Sequence, residues 1–257
     1  MKVLGLIPAR MGSSRFFGKP LKEINGIPMI GHCYYRSLLS GLLDDLYVAT
    51  CDKDIEEYIN SINGNVVMTS DKHFRATDRV EEAWEKISKE LDKDYDLIVM
   101  IQGDEPMITP EMIDAAIRPF KDPEIGVVNL MAQMQTYSEL ADPNEIKVAV
   151  NLEGDAIYFS RLPIPSFKEI DFDIENPWYK QVCIIPFRPQ KLMEFSQLEE
   201  SPLERFESID MLRYIENGIN VRMILTDLET YSVDCQEDLD HVSELMLHDE
   251  LVSKYQE

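Results

Sequence analysis

Positive charge is what this chain has least of. Lys and Arg number 25 against 48 Asp and Glu, a net charge of −23 over 257 residues. Broad nucleic-acid binding works by displacing counterions from phosphates with many cations, so that class is excluded. Long apolar runs are also missing. None reaches the roughly 18 residues needed to span a bilayer, so no membrane association is expected. The first apolar run, residues 3–7, is too short for the h-region of a signal peptide, and a cytoplasmic enzyme is the expectation. Cysteine is scarce: Cys33, Cys51, Cys183 and Cys235 lie far apart with no C-x-x-C pair. That spacing points to neither a zinc site nor a disulfide framework, and leaves small buried apolar residues as the expected role. There is no internal repeat and no low-complexity tail. The length suits one large core, or one core with a small appendage.

Against this acidic background, residues 7–21 concentrate three cations. Arg10, Arg15 and Lys19 stand among Gly12, Ser13, Ser14 and Gly18, directly after the apolar run. Glycines let backbone N–H groups approach an anion, and such a nest with fixed cations makes a phosphate cradle. The ATPase P-loop is excluded, because five residues separate Gly12 from Gly18 and Pro20 stands where the magnesium-binding hydroxyl belongs.

Short β-branched runs alternate with helical patterns through the first half. Strands are expected at 3–7, 46–50, 65–68 and 97–102, and helices at 28–43, 54–62, 79–91 and 110–120. The alternation implies a mostly parallel sheet covered on both faces, with ligands at the carboxyl ends of its strands. From about residue 127 the pattern changes to strands with short connections at 127–134, 146–150 and 156–160, with a hairpin turn at 151–155. Residues 163–177 are proline-rich and acidic and read as a long excursion, either a lid or a subunit contact. A strand at 181–187, a helix at 203–217 stopped by Gly218, a strand at 221–225 and a helix from about Gln236 complete the chain.

Carboxylates follow the strands. Asp104, in Gln102-Gly103-Asp104-Glu105-Pro106, ends the very apolar run 97–101 and suits magnesium on a nucleotide phosphate; a turn aspartate before a helix is the other reading. Asp234 with Glu237 fits either a capping box on the last helix or a metal ligand. Thr77 and Asp78 precede a helix, where Asp78 with Glu81 is a second candidate box and nucleotide contact the alternative. Arg161 sits at a strand end, able to take a substrate carboxylate or to pair with the acidic stretch after it.

These motifs together resemble the 3-deoxy-manno-octulosonate (Kdo) cytidylyltransferases. The shared elements are I-P-A-R-x-x-S-x-R-x-x-G-K-P-L at 7–21, V-A-T-x-D at 48–52, T-D-R at 77–79 and Q-G-D-E-P at 102–106. D-P-N-x-x-K-V at 142–148, Y-F-S-R-x-x-I-P at 158–165, S-P-L-E at 201–204, L-R at 212–213 and V-D-x-x-E-D-L at 233–239 follow in family order. The resemblance implies a three-layer α/β/α, Rossmann-like nucleotidyltransferase fold over 1–257, with a small dimerisation subdomain inserted at roughly 130–190. It implies a homodimeric enzyme that uses CTP and Mg2+ to make a CMP-sugar for surface polysaccharide, releasing pyrophosphate. Carried over, Ala9, Arg10, Gly12, Ser13, Ser14, Arg15, Lys19, Thr50, Asp52, Thr77, Asp78 and Gln102 would contact the nucleotide. Asp104 and Asp234 would bind the metal, and Arg15, Lys19, Asp104 and Asp234 would be catalytic. Arg161, Gln181, Ile185, Asp210 and Met211 would face the acceptor.

The departures fall on the acceptor side. The family reads H-x-G-x-Y-x-Y-R where this chain has Gln181-Val182-Cys183-Ile184-Ile185-Pro186-Phe187-Arg188, and its Glu-Gln pair is Asp210-Met211 here. Sites that hydrogen-bond a sugar hydroxyl discriminate strongly, because an unmatched buried polar group costs about 1–3 kcal/mol. An altered acceptor is therefore expected, such as an amino or deoxy variant of Kdo. A phosphorylated or phosphonate acceptor, met by Arg161, Arg188 and Arg213, is a second expectation. A non-catalytic nucleotide-binding subunit is a third.

Overall fold

The structure is a computed structural model that describes residues 1–12, 16–166 and 178–256. In chain order its first elements are β1 (Val3–Ala9), β2 (Glu23–Ile24), β3 (Ile27–Pro28), α1 (Met29–Leu38), β4 (Asp45–Thr50), α2 (Lys53–Ser61), β5 (Val66–Met68), α3 (Ala76–Leu91), β6 (Leu97–Ile101) and α4 (Pro110–Ile117). Then come β7 (Val128–Gln133), α5 (Tyr137–Ala141), β8 (Lys147–Val150), β9 (Ala156–Ser160), β10 (Tyr179–Val182), β11 (Ile184–Phe187), α6 (Pro189–Gln197), α7 (Pro202–Glu207), α8 (Met211–Glu216), β12 (Arg222–Thr226) and α9 (Gln236–Met246). The chain divides into two compact units, Met1–Asp114 with Thr230–Glu257, and Ala115–Glu229.

The first unit is built on parallel strands in the order β6-β1-β4-β5. β6 is buried at every position, as a strand covered on both faces must be. Parallel pairing turns every strand the same way, so the loops after β1, β4 and β6 leave from one edge. The α9 segment is seated by an apolar cluster of Ile24, Met29, Val233, Leu239, Val242, Met246 and Val252. Burying side chains of this size stabilises by about 1.5–3 kcal/mol each. Beside it, Arg36 is 1% exposed and joins the Ile108 carbonyl (2.6 Å), the Met107 carbonyl (3.2 Å) and Asp249 (2.6 Å), tying the C-terminal segment to α1.

The second unit carries a mixed sheet in the order β12-β7-β10-β8-β9, with β12 and β7 parallel and the other pairs antiparallel. The expected hairpin at 151–155 joins β8 to β9, with Gly154 at φ +84° supplying the left-handed residue the turn needs. Two expected elements are broken. The strand expected over 181–187 is two strands, β10 and β11, separated at Cys183. The helix expected over 203–217 is α7 and α8, interrupted where Ser208 adopts φ +58° and its N–H still bonds to the Glu204 carbonyl. Below that break, Glu204 is fully buried and takes a bidentate pair from Arg213 at 2.7 Å on each oxygen. The Arg213 guanidinium also lies 3.8 Å from the centre of the Phe195 ring. This buried pair accounts physically for the S-P-L-E and L-R motifs. The cysteine expectation holds for Cys33 alone, since the other three are only partly buried.

Candidate functional site

Three loops of the first unit meet at Lys19. The cradle leaves β1, closes on itself through the Gly18 N–H to the Met11 carbonyl (3.0 Å), and turns into a short 3-10 segment, Lys19–Leu21. Gly18 has φ +72°, a conformation glycine adopts without strain. The second loop follows β6. A Cβ on Gly103 would come within 2.9 Å of Ile30 Cδ1 and 3.2 Å of the Pro8 carbonyl oxygen, so any larger residue would have to push these neighbours back for the turn to lie against β1. The third is the lead into α9, where the Val233 N–H donates to the Asp104 carbonyl at 2.9 Å.

The side chains converge as the main chain does. Lys19 Nζ donates to Asp104 Oδ2 at 2.5 Å, to Asp234 Oδ1 at 3.0 Å and to the Val233 carbonyl at 3.2 Å. The three side chains are 13%, 18% and 13% exposed, so the cluster is half sunk but open to solvent. Burial by itself pushes the ammonium toward neutrality, but Asp104 and Asp234 outweigh it and hold the Lys19 pKa above its ordinary value. Two carboxylates converging on one cation, with a carbonyl beside them, are a set of hard oxygens. Magnesium takes one or two protein carboxylates and completes its shell with phosphates and waters, so Asp104 and Asp234 fit that ion.

The alternatives at Asp234 resolve one residue along. The capping box on α9 is formed by Cys235 and Asp238, with Asp238 accepting from the Asp234 and Cys235 N–H groups at 2.9 and 3.0 Å. Asp234 and Glu237 are therefore not the box, and the Asp234 carboxylate turns to Lys19. The second candidate box also fails: α3 begins at Ala76 with Arg75 as its cap, so Asp78 lies inside the first turn.

Other expected nucleotide residues take up bracing positions around the same strand ends. Ala9 pairs with Thr50 in the β1–β4 register. The buried Thr50 accepts the Asp52 N–H at 3.1 Å, and Asp52 Oδ2 accepts the Met11 N–H at 2.8 Å. Asp52 thus fixes the start of the cradle from the neighbouring strand. Arg10 and Gly12 are exposed, and Gln102 and Asp78 are half-buried. Thr77 is buried in the first turn of α3. Arg79 of the T-D-R motif donates to Thr69 Oγ1 (2.5 Å) and to the Ser70 carbonyl (3.3 Å). Glu82 accepts the Ser70 N–H and also meets His73 and Lys86. Burial opposes its ionisation, but Lys86, the Ser70 N–H and His73 pull its pKa down to about 2. Ser13, Ser14 and Arg15 lie outside the described residues.

The expected acceptor residues lie in the second unit. Arg161 donates Nε to the Glu207 carbonyl (2.8 Å) and Nη1 to the Pro143 carbonyl (2.9 Å). Gln181 Nε2 donates to Asn129 Oδ1 at 2.5 Å, and Asn129 donates in turn to the Val182 and Leu130 carbonyls. Ile185 and Met211 are buried, and Asp210 is half-buried at the start of α8. Arg188 donates to the carbonyls of Ile125, Phe120 and Asp122. Sequence reasoning gave no role here to Glu207, or to Lys147, the lysine of the D-P-N-x-x-K-V motif. Glu207 accepts from the Tyr158 and Ser160 hydroxyls and from the Arg161 N–H. Lys147 is fully buried and donates to the carbonyls of Asp142, Glu145 and Arg161. A lysine opening an otherwise apolar strand was the available signal for it.

A parallel sheet whose strand-end loops carry a lysine cradle and paired carboxylates has the architecture of a nucleotidyltransferase. Comparison with known proteins agrees. The profile of the family described as "Cytidylyltransferase" matches residues 4–226. A 3-deoxy-manno-octulosonate cytidylyltransferase of Geobacter metallireducens is 39% identical over 253 residues, 95% of this chain and 97% of that protein. One from Parabacteroides distasonis is 40% identical over 247 residues, 93% of this chain and 96% of that protein. The solved structure of CMP:2-keto-3-deoxy-manno-octonic acid synthetase complexed with CTP superposes with a TM-score of 0.85 at 36% identity, covering 96% of this chain and 99% of that one. The chain belongs to the cytidylyltransferase family, among the 3-deoxy-manno-octulosonate cytidylyltransferases.

Proposed function

We propose that this chain transfers the cytidylyl group of CTP to an acid sugar of the 3-deoxy-manno-octulosonate type, forming a CMP-sugar for surface polysaccharide and releasing pyrophosphate. The convergence of Asp104, Asp234 and Lys19 at the strand ends is the observation that carries the reading. The sugar hydroxyl attacks the α-phosphorus and gives up its proton to solvent, the α–β phosphoanhydride bond breaks, and pyrophosphate leaves with the bonding electrons. Such a reaction chiefly needs alignment and neutralisation of charge, with no protein nucleophile. Lys19 and Arg10 would take phosphate oxygens, while Asp52 holds the cradle in place through Met11. A magnesium ion on Asp104 and Asp234 would supply the divalent charge that the leaving pyrophosphate requires.

The acceptor is an altered one on this reading. Gln181, Ile185, Asp210 and Met211 replace polar family residues, and two of the replacements are buried and apolar. A phosphorylated acceptor is less well supported. Its candidate cations already serve other partners, Arg213 on Glu204 and Arg161 and Arg188 on main-chain carbonyls. A non-catalytic role sits poorly with the intact Lys19–Asp104–Asp234 cluster. A cytoplasmic homodimer completes the proposal. Among the described residues no helix is long and apolar enough to cross a membrane. Ile157 on β9 and Phe206 on α7 expose large apolar side chains suited to a subunit contact.

The test is pyrophosphate release from CTP and MgCl2 with Kdo or its amino and deoxy variants. The expected result is turnover of about 1 s⁻¹ or faster with a variant and much slower turnover with Kdo. Fast turnover with Kdo would contradict the altered acceptor, and no turnover with any acid sugar would contradict the proposal as a whole.

A further inference from the structure

The Lys19 ammonium stands where two carboxylates need a cation. Carboxylates this close repel each other unless positive charge lies between them, and Lys19 supplies it through contacts of 2.5 and 3.0 Å. The carboxylates themselves stay together by other means. The Val233 N–H to Asp104 carbonyl bond joins their loops, and buried Val233 anchors the second of them in the α9 cluster. Asp234 is also held through its own N–H by Asp238. The lysine is constrained differently. Its main chain is fixed between Gly18 and the buried Pro20, but its charge rides on a flexible four-carbon stem. The pair is thus a rigid acceptor of one cation, and Lys19 a cation on a tether.

We propose that Lys19 is an exchangeable counter-ion of the Asp104–Asp234 pair. In the nucleotide-free protein its ammonium closes the pair against free divalent metal. A metal arriving with a nucleotide takes its place, and the released ammonium moves to the phosphates. The proposal rests on the reading of Asp104 and Asp234 as metal carboxylates. Its consequence is coupling: metal alone must displace a tethered charge, whereas metal with a triphosphate brings that charge a new partner. Metal and nucleotide therefore bind with positive cooperativity, to which Lys19 adds beyond the metal's own bonds to phosphate.

Titrating nucleotide-free protein with MnCl2, with free Mn2+ read by electron paramagnetic resonance, tests this without acceptor or turnover. Lys19→Met and Lys19→Gln, checked for folding by thermal melts, should bind Mn2+ alone on the order of tenfold more tightly than the unsubstituted chain. CTP should tighten Mn2+ binding in the unsubstituted chain and do so far less in either variant. Equal or weaker affinity for Mn2+ alone in the folded variants would overturn the exchange. On the unsubstituted chain, saturating Mn2+ should raise acylation of Lys19 by an amine reagent, read by peptide mass spectrometry. Unchanged labelling would overturn it equally, whether or not the variants fold. The double substitution Lys19→Met with Asp104→Asn separates the two ideas. It should lose the tight Mn2+ binding; retention would overturn the carboxylate reading and the exchange with it, whereas loss in the double variant without tightening in Lys19→Met would overturn the exchange alone.

Discussion

A carboxylate that accepts a main-chain N–H acts on the path of the chain, and Asp52 does this for Met11, two residues past the end of β1. The motif V-A-T-x-D marked Asp52 as a nucleotide residue, and its bond to the Met11 N–H gives it a way to act on nucleotide through the loop. Asp52→Ala should raise the KM for CTP several-fold with a smaller change in kcat, and Asp52→Asn, which still offers an oxygen acceptor, should restore most of the loss. An equal fall in kcat with KM unchanged would contradict this positioning role. His32 makes a second prediction. Its Nε2 faces the Ile24 carbonyl at 2.9 Å and must donate, so Nδ1 accepts from the Tyr255 hydroxyl at 2.9 Å. Burial, reinforced by Arg36 and opposed by the Ile24 carbonyl and Asp249, lowers its pKa from 6.5. The unfolded chain therefore binds the proton first, so this contribution to stability is complete above about pH 6.5 and is lost as the pH falls below it. The melting temperature should fall between about pH 7 and 5, and fall less in His32→Gln. Identical pH profiles would contradict it. Lys19, Asp104 and Asp234 were legible because each adjoins a recognisable strand or helix start. Glu207 was not, because its partners Tyr158, Ser160 and Arg161 lie far along the chain, and Lys147 was not, because its partners are main-chain carbonyls.

At the scale of elements, the turn after β6 depends on one missing side chain. Gly103→Ala would place a methyl group against Ile30 and the Pro8 carbonyl. It should destabilise the chain by about 1–3 kcal/mol in urea and weaken Mn2+ binding, since Asp104 is the next residue. Full Mn2+ affinity in a folded Gly103→Ala variant would show that the turn does not set the carboxylate. The parallel strands and α9 were readable from apolar runs bounded by turn and cap residues, and β9 falls on the expected residues, 156–160. The breaks were not readable. Helical periodicity continues through 203–217, and a left-handed serine leaves no mark in it; the break is visible only once Glu204 is seen buried against Arg213. The α9 box moved by one residue because a partly buried cysteine serves as its cap, a role sequence patterns assign to Ser, Thr, Asp or Asn.

For the whole molecule, a net charge of −23 surrounds a site meant for a polyanion. Local positive charge must then be concentrated, and Lys19 resting on two carboxylates shows how such a cation is kept within an acidic protein. Family order of the motifs along the chain made the class legible, while Gln181, Ile185, Asp210 and Met211, expected to face the acceptor and all in the second unit, depart from the family pattern. The central claim is that Asp104, Asp234 and Lys19 form one cation-exchanging nucleotide site. A crystal structure with Mg2+ and CTP tests it most directly. It should show a metal ion about 2.0–2.1 Å from a carboxylate oxygen of both Asp104 and Asp234, with the Lys19 ammonium moved onto a phosphate oxygen. CTP bound with Lys19 still between the two carboxylates, and the metal held elsewhere, would contradict the claim.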